Sequence, residues 1–203
     1  MNKRTTPTIK QPLPGPAAQF KMAHVVRQQN QTIPENVRIA CTLVLLYPKN
    51  DEWHLVLIQR TSNNPNDRHG GQISFPGGQQ EESDASLGAT AIREAEEEIG
   101  ADPSKITLIG QLTSLFISVS NFNVYPFVGY TNERPSFKLQ ESEVQAILEV
   151  PLSVLQDKMT RQLTNIKISE RITLKNVPYF NIEGQVVWGA TAMMLSEFLE
   201  AIG

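Results

Sequence analysis

Residues 37–46, Val-Arg-Ile-Ala-Cys-Thr-Leu-Val-Leu-Leu, are apolar almost without interruption. A strand with one wet face alternates apolar and polar side chains, so a continuous run of this kind reads as a strand buried on both faces. Such a strand needs protein above and below it, which points to layers of helix against a sheet. Pro48, Lys49, Asn50 and Asp51 supply turn chemistry, and residues 53–58 follow as the hairpin partner. Further strands are expected at 72–75, 105–115, 123–130, 179–180 and 186–188, with 161–174 as a hairpin arm and 141–148 as a short helix or turn. Residues 61–71 read as loop. Helices are expected at 19–31, from Ala85 to the stop signal at Gly100 with Ser83 or Asp84 as N-cap, and at 191–202. This order lacks a strict βαβ rhythm and predicts an α/β (α+β) fold, a mixed sheet flanked by helices. Pro7, Pro12, Pro14 and Pro16 argue against regular structure near the amino terminus, which is expected to pack on the domain as an arm or to stay loose.

Charge and composition narrow the function classes. With 18 basic and 21 acidic side chains, a net charge of −3, the chain lacks the basic excess of a protein that binds a nucleic acid polymer. Arginines placed locally still suit a small nucleotide. One cysteine, Cys41, cannot make an intrachain disulfide. No apolar h-region follows the amino terminus, and no apolar run is long enough to span a bilayer. A cytoplasmic protein with no membrane partner is the expectation, with the oligomeric state open and a homodimer included.

The stretch 85–100 carries the chemistry. As a helix it places Leu87, Gly88, Ala91, Ile92, Ala95 and Ile99 on one arc, and Glu94, Glu97 and Glu98 share a face at i, i+3, i+4. A merely solvated acidic face would lie opposite the apolar arc. Here Glu98 falls inside its edge, Glu94 beside it and Glu97 slightly further out, whereas Arg93 and Glu96 point to the surface side. Carboxylates at the margin of a buried stripe need a counter-charge. A hard divalent cation or a buried arginine would serve. Upstream, Gly77 and Gly78 let the backbone approach a ligand closely, just before a helix whose amino end favours anions. Metal on the helix and phosphate at the turn would make one site for a diphosphate.

The segment Arg93-Glu94-Ala95-Glu96-Glu97-Glu98-Ile99-Gly100-Ala101 resembles the second half of the Nudix hydrolase box, R-E-U-x-E-E-x-G-U, with alanine at both bulky positions. The first half departs from it: the loop is one residue longer, and the leading acid falls on Asp84. That departure is similar to the coenzyme A pyrophosphatase branch. Leu57-Ile58-Gln59-Arg60-Thr61-Ser62 resembles the start of that branch's signature, Arg68, His69, Gly71, Phe75, Pro76, Gly77 and Gly78 its middle, and 187–192 a further segment common in the group.

The resemblance implies a Nudix-type α/β/α sandwich with a mixed β-sheet, residues 36–203 forming one hydrolase domain and 1–35 an amino-terminal arm with a short helix. It implies hydrolysis of a nucleoside diphosphate-linked small molecule, coenzyme A to 3′,5′-ADP and 4′-phosphopantetheine before others. Glu94, Glu97 and Glu98 would hold Mg²⁺ or Mn²⁺, and a metal-bound water would be the nucleophile. Glu97, Glu143 or Glu141 would take its proton, and Arg93 would orient the glutamates. Arg60, Arg68, His69, Gly77 and Gly78 would meet the substrate. The alternatives are hydrolysis of ADP-ribose or a dinucleotide, and, in a different class, a Nudix-fold module that binds a nucleotide without cleaving it.

Overall fold

A computed structural model describes residues 5–27, 32–61 and 70–203. The chain enters through a short helix α1 (Pro16–Gln19) and a 3-10 turn (Phe20–Met22), then forms the hairpin β1 (Arg38–Lys49) and β2 (Glu52–Arg60). β3 (Ile73–Ser74) and β4 (Gly77–Gln79) lead into α2 (Leu87–Ile99). Next come β5 (Thr107–Gln111), β6 (Leu115–Ile117), β7 (Phe122–Tyr130) and β8 (Val144–Pro151). A turn of helix, α3 (Leu152–Gln156), then β9 (Arg161–Lys167), β10 (Thr173–Ile182), β11 (Gln185–Trp188) and α4 (Gly189–Ala201) complete the chain.

The run at 37–46 is the centre, as its composition requires. β1 pairs with β2 and β4 antiparallel and with β7 parallel, so the sheet is mixed. Successive β1 side chains go to opposite layers. Cys41, Leu43, Leu45 and Tyr47 pack with Ala91, Ala95 and Ile99 of α2, and Val44 and Leu46 pack with Met193, Met194 and Phe198 of α4. All six of these β1 residues are fully buried. Each aliphatic removed from water in this way is worth roughly 1.5–3 kcal/mol. The small three-stranded sheet β11-β10-β9 joins the α4 layer through Phe180, Ile182 and Val187. None of the helices among the described residues is long and apolar enough to cross a membrane.

Several expectations need correction. Residues 144–151 are a strand, not a helix or turn: β8 pairs with β2 from His54↔Pro151 to Arg60↔Val144. Ile147 packs toward α2 and Leu148 toward α4, so burial on both faces removed the alternation that marks a strand. The helix expected at 19–31 is only α1 and its 3-10 extension, and residues 28–31 lie outside the described residues. α2 begins at Leu87 rather than Ala85, because Ser86, not Ser83 or Asp84, caps it by accepting from Ala89 N–H. At the other end Gly100 adopts the left-handed conformation (φ 68°), as the stop signal required.

The arm packs on the body. Ala18 and Met22 are buried, and Glu197 of α4, itself fully buried, accepts from Gly15 N–H, Gln19 Nε2, and Thr113 N–H and Oγ1. The two ends of the described chain also meet, Ile9 bridging Ile202.

Candidate active site

β1–β4 pairing sets Gly77 against Thr42 and Gly78 against Cys41, and this brings the glycine turn under the middle of α2. A side chain at Gly77 would run into the Cys41 carbonyl and the Thr42 backbone, and one at Gly78 into the Glu94 carboxylate. Only glycine permits so close an approach. The Gly77 N–H donates to Glu98 Oε2 at 2.8 Å, and Arg60 Nη1, at the end of β2, stands 3.6 Å from Glu98 Oε1. Glu98 is 2% exposed. Its burial pushes the carboxyl up to about 7, aided by the charges of Glu94 and Glu143, while the Gly77 N–H and Arg60 pull it down. Burial likewise raises Glu94, against the opposing pull of Arg93, and the charges of Glu97 and Glu143 add to that rise.

Arg93 organises the outer side. Its Nη1 lies 2.9 Å from Glu94 Oε1 and 3.0 Å from Glu97 Oε2. Its Nε and Nη2 grip Asp84 at 2.9 and 3.0 Å, and Nη2 also donates to the Gln79 carbonyl. Asp84 accepts further from Thr90 Oγ1 and Glu81 N–H, and these bonds hold its carboxyl far below the usual carboxylate range. The same pairing raises the Arg93 guanidinium.

The third charge arrives on the β7–β8 connection. Lys138 N–H donates to the Ile99 carbonyl and Gln140 N–H to that of Glu98, so this segment takes up open carbonyls at the end of α2. Glu143 follows in a turn closed on the Gln140 carbonyl, and its charge acts on both Glu94 and Glu98.

Of the residues singled out in the sequence, Glu94, Glu98, Arg60, Gly77, Gly78 and Glu143 are brought together. Glu97 stands apart, its side chain 56% exposed and turned to Arg93. Arg68 and His69 lie outside the described residues. Arg93 was assigned by the helical wheel to the surface; instead it is mostly covered, because the 79–86 loop folds back over it. The tight ion pair of Asp84 with Arg93 was not foreseen, although an acid a few residues before a helix that presents an arginine was its signal. His54 is buried and stacked on Tyr47.

The family model described as NUDIX domain matches residues 37–170. The chain belongs to the Nudix family. This Nudix hydrolase is 34% identical over 179 residues to the uncharacterized Nudix hydrolase NudL of Shigella flexneri serotype 5b (strain 8401), covering 88% of this chain and 90% of the relative. It is 36% identical over 136 residues to the NudL of Salmonella newport (strain SL254), covering 67% and 69%. Among solved structures, a Nudix hydrolase of M. smegmatis, RenU, superposes with a TM-score of 0.53 at 12% identity over 80% of this chain and 84% of that one, a likeness of fold alone. The enzyme is thus a pyrophosphohydrolase that cleaves a phosphoanhydride bond in nucleoside diphosphate-linked substrates. Hydrolases of the family generally use divalent metal ions.

The donor set suits such an ion. The sunken oxygens of Glu94 and Glu98, with Glu143 adding a third negative charge, leave like charges opposed, among the described residues, by Arg60 and Arg93. Hard oxygen donors of this kind match a hard divalent cation rather than softer metals. As placed, no three His, Cys, Asp or Glu side chains among the described residues are gathered closely enough to hold a metal by themselves. Glu97, the third ligand expected, is paired with Arg93, as is Glu94.

Proposed function

We propose that this Nudix hydrolase cleaves coenzyme A or its derivatives to 3′,5′-ADP and 4′-phosphopantetheine. The observation that carries the hydrolytic reading is the buried Glu98, held by the Gly77 N–H and faced by Arg60, beside a second buried carboxylate, Glu94, at Gly78. A module that only binds a nucleotide has no use for two desolvated carboxylates, because their burial costs stability. The choice of coenzyme A rests on the stretch that delivers Arg60 and continues to Arg68 and His69, which resembles the signature of that branch, and on Asp84 in place of the usual glutamate. Among the described residues Asp84 pairs with Arg93, so the longer loop supports the helix rather than the substrate.

Glu94, Glu97 and Glu98 would hold Mg²⁺ or Mn²⁺, Glu97 on turning from Arg93. When bound, the metal supplies charge neutralisation at the diphosphate and a water of lowered pKa. The remaining tasks fall to the chain. Backbone at Gly77 and Gly78 brings the diphosphate close to the carboxylates, and Arg60 offers a cation whose side chain is 30% exposed and so within reach of a phosphate. Arg68 and His69 would receive the 3′-phosphate. Glu143 takes the proton from the attacking water in preference to Glu97, because it stands on the segment bonded to α2 at Glu98 whereas Glu97 is engaged by Arg93. Arg93 orients Glu94 and Glu97.

The test is a panel of coenzyme A, ADP-ribose and NADH assayed with Mg²⁺ and with Mn²⁺. The expected outcome is the highest kcat/KM on coenzyme A, with release of 3′,5′-ADP. Faster turnover of ADP-ribose would replace coenzyme A as the substrate, and absence of turnover on any nucleotide diphosphate would defeat the hydrolytic site.

A further inference from the structure

Thr61 closes β2 one residue after Arg60, and both of its hydrogen-bonding groups engage the segment that carries Glu143. Its N–H donates to the Glu143 carbonyl at 2.8 Å, and its Oγ1 donates to the Ser142 carbonyl at 3.0 Å. Two consecutive carbonyls are therefore held by one residue. On its other side the same segment hangs from α2 through Gln140 N–H, which donates to the Glu98 carbonyl at 3.0 Å. Gln140 then accepts from Glu143 N–H at 2.9 Å and Val144 N–H at 2.8 Å, which fixes the turn between the two supports.

These contacts form a closed ring: Arg60 faces Glu98, Glu98 holds Gln140, Gln140 holds Glu143, Glu143 holds Thr61, and Thr61 is bonded to Arg60 through the chain. Three elements with no sequence proximity, the end of β2, the last turns of α2 and the approach to β8, are thereby set against one another. A carboxylate on an exposed connection has no packing of its own to aim it. Glu143 is exposed, and the bonds from Gln140 to Glu98 and from Thr61 to the Glu143 carbonyl hold its backbone beside the end of α2, so its direction comes from the backbone on which it stands.

We propose that Thr61 is a positioning residue for the reaction, its hydroxyl fixing the 142–143 backbone so that the Glu143 carboxylate stays aimed at the Glu94–Glu98 pair. This rests on the reading of Glu143 as the group that takes the water's proton. The main-chain bond from Thr61 survives any substitution other than proline. The Oγ1 bond is therefore the variable part, and Thr61→Val removes it with little change of shape.

The experiment uses the full chain with whichever of coenzyme A, ADP-ribose and NADH is hydrolysed best. Thr61→Val is expected to lower kcat on the order of tenfold with KM within about twofold, since a small misaim of a reacting group is felt in the chemical step. Thr61→Ser keeps the hydroxyl and should return kcat to within about threefold of the parent. Glu143→Gln should lower kcat roughly 10²-fold or more, and Thr61→Val added to it should cost nothing further, because the residue has nothing left to aim. Melting curves of the three single variants check that each is folded. A rise in KM with kcat unchanged, failure of serine to rescue, or a full tenfold loss from Thr61→Val in the Glu143→Gln background would each overturn the proposal. Unaltered kcat in Glu143→Gln alone would strike instead at the assignment of Glu143, and the positioning role would fall with it.

Discussion

Glu98→Gln separates what the buried carboxylate does for catalysis from what it does to the fold. With its carboxyl raised to about 7 against an ordinary glutamate value near ~4.3, Glu98 opposes folding whenever it must be ionised inside the protein. The sign is that of a raised acid: its protonated form suits the fold, so the contribution is present below the unfolded pKa and is lost as pH rises through the folded one. The full difference is on the order of 3–4 kcal/mol above about pH 8, and it shrinks to a few tenths near pH 4. Glutamine keeps the size and the acceptor for the Gly77 N–H but carries no charge. Arg60 loses its ion pair, worth no more than about 1 kcal/mol for a guanidinium that water still reaches. Without divalent metal, Glu98→Gln should therefore be more stable than the parent by roughly 2–3 kcal/mol at pH 8, a rise in Tm of about 4–10 °C, and nearly equal to it at pH 4. Hydrolysis should meanwhile be lost. Calorimetric melts of both proteins in EDTA at the two pH values are the assay. A lower Tm for the variant at pH 8, or a gap that does not change with pH, would refute the reasoning.

Asp84→Asn breaks a covered ion pair and leaves Arg93 to Glu94, Glu97 and the Gln79 carbonyl, so stability should fall by about 1–3 kcal/mol, less than for a buried charge left wholly unpaired, with a loss of turnover from the displaced Glu94. Gly78→Ala places a methyl group into the Glu94 carboxylate; thermal stability should change less than kcat, which steady-state assays should find reduced on the order of 10²-fold. Glu149 accepts from Arg134, Tyr47 and Lys49, and Arg134 first among them depresses its carboxyl to about 2. Its contribution is thus present above about pH 4.3 and lost as pH falls toward 2. Allowing for water around Arg134, Glu149→Gln should cost about 1–2 kcal/mol at pH 7 and nothing near pH 2 in chemical denaturation, since solvent weakens such pairs.

The parts of the site that were legible in the sequence lie on regular elements. The wheel of residues 85–100 put Glu98 at the edge of the apolar arc, and the fold buries it, because helical angles survive whatever packs against them. The apolar run at 37–46 gave away the central strand for the same reason. What escaped was set by the meeting of distant segments. The angle of Arg93 was read correctly but not the loop that covers it. Nothing in the composition of residues 141–148 told of pairing with β2, since a strand buried on both faces and a short helix share the same apolar density. The convergence of Thr61, Gln140 and Glu143 runs, apart from the Thr61 hydroxyl, through main-chain groups, which every residue carries and no motif records.

Glu197 has a consequence for the order in which the protein is made. The donors that surround it, on Gly15, Gln19 and Thr113, leave the ribosome well before the carboxylate itself, the first of them 182 residues earlier. At ordinary rates of synthesis that is a wait of roughly 10–40 s. During it the amino-terminal arm lacks its contact with α4, and the α4 layer of the core stands open. Burial of the sheet's second face therefore waits on α4. A chain stalled before α4 would expose the even-numbered side of β1, Val44 and Leu46 included, to whatever chaperone or neighbouring chain is near.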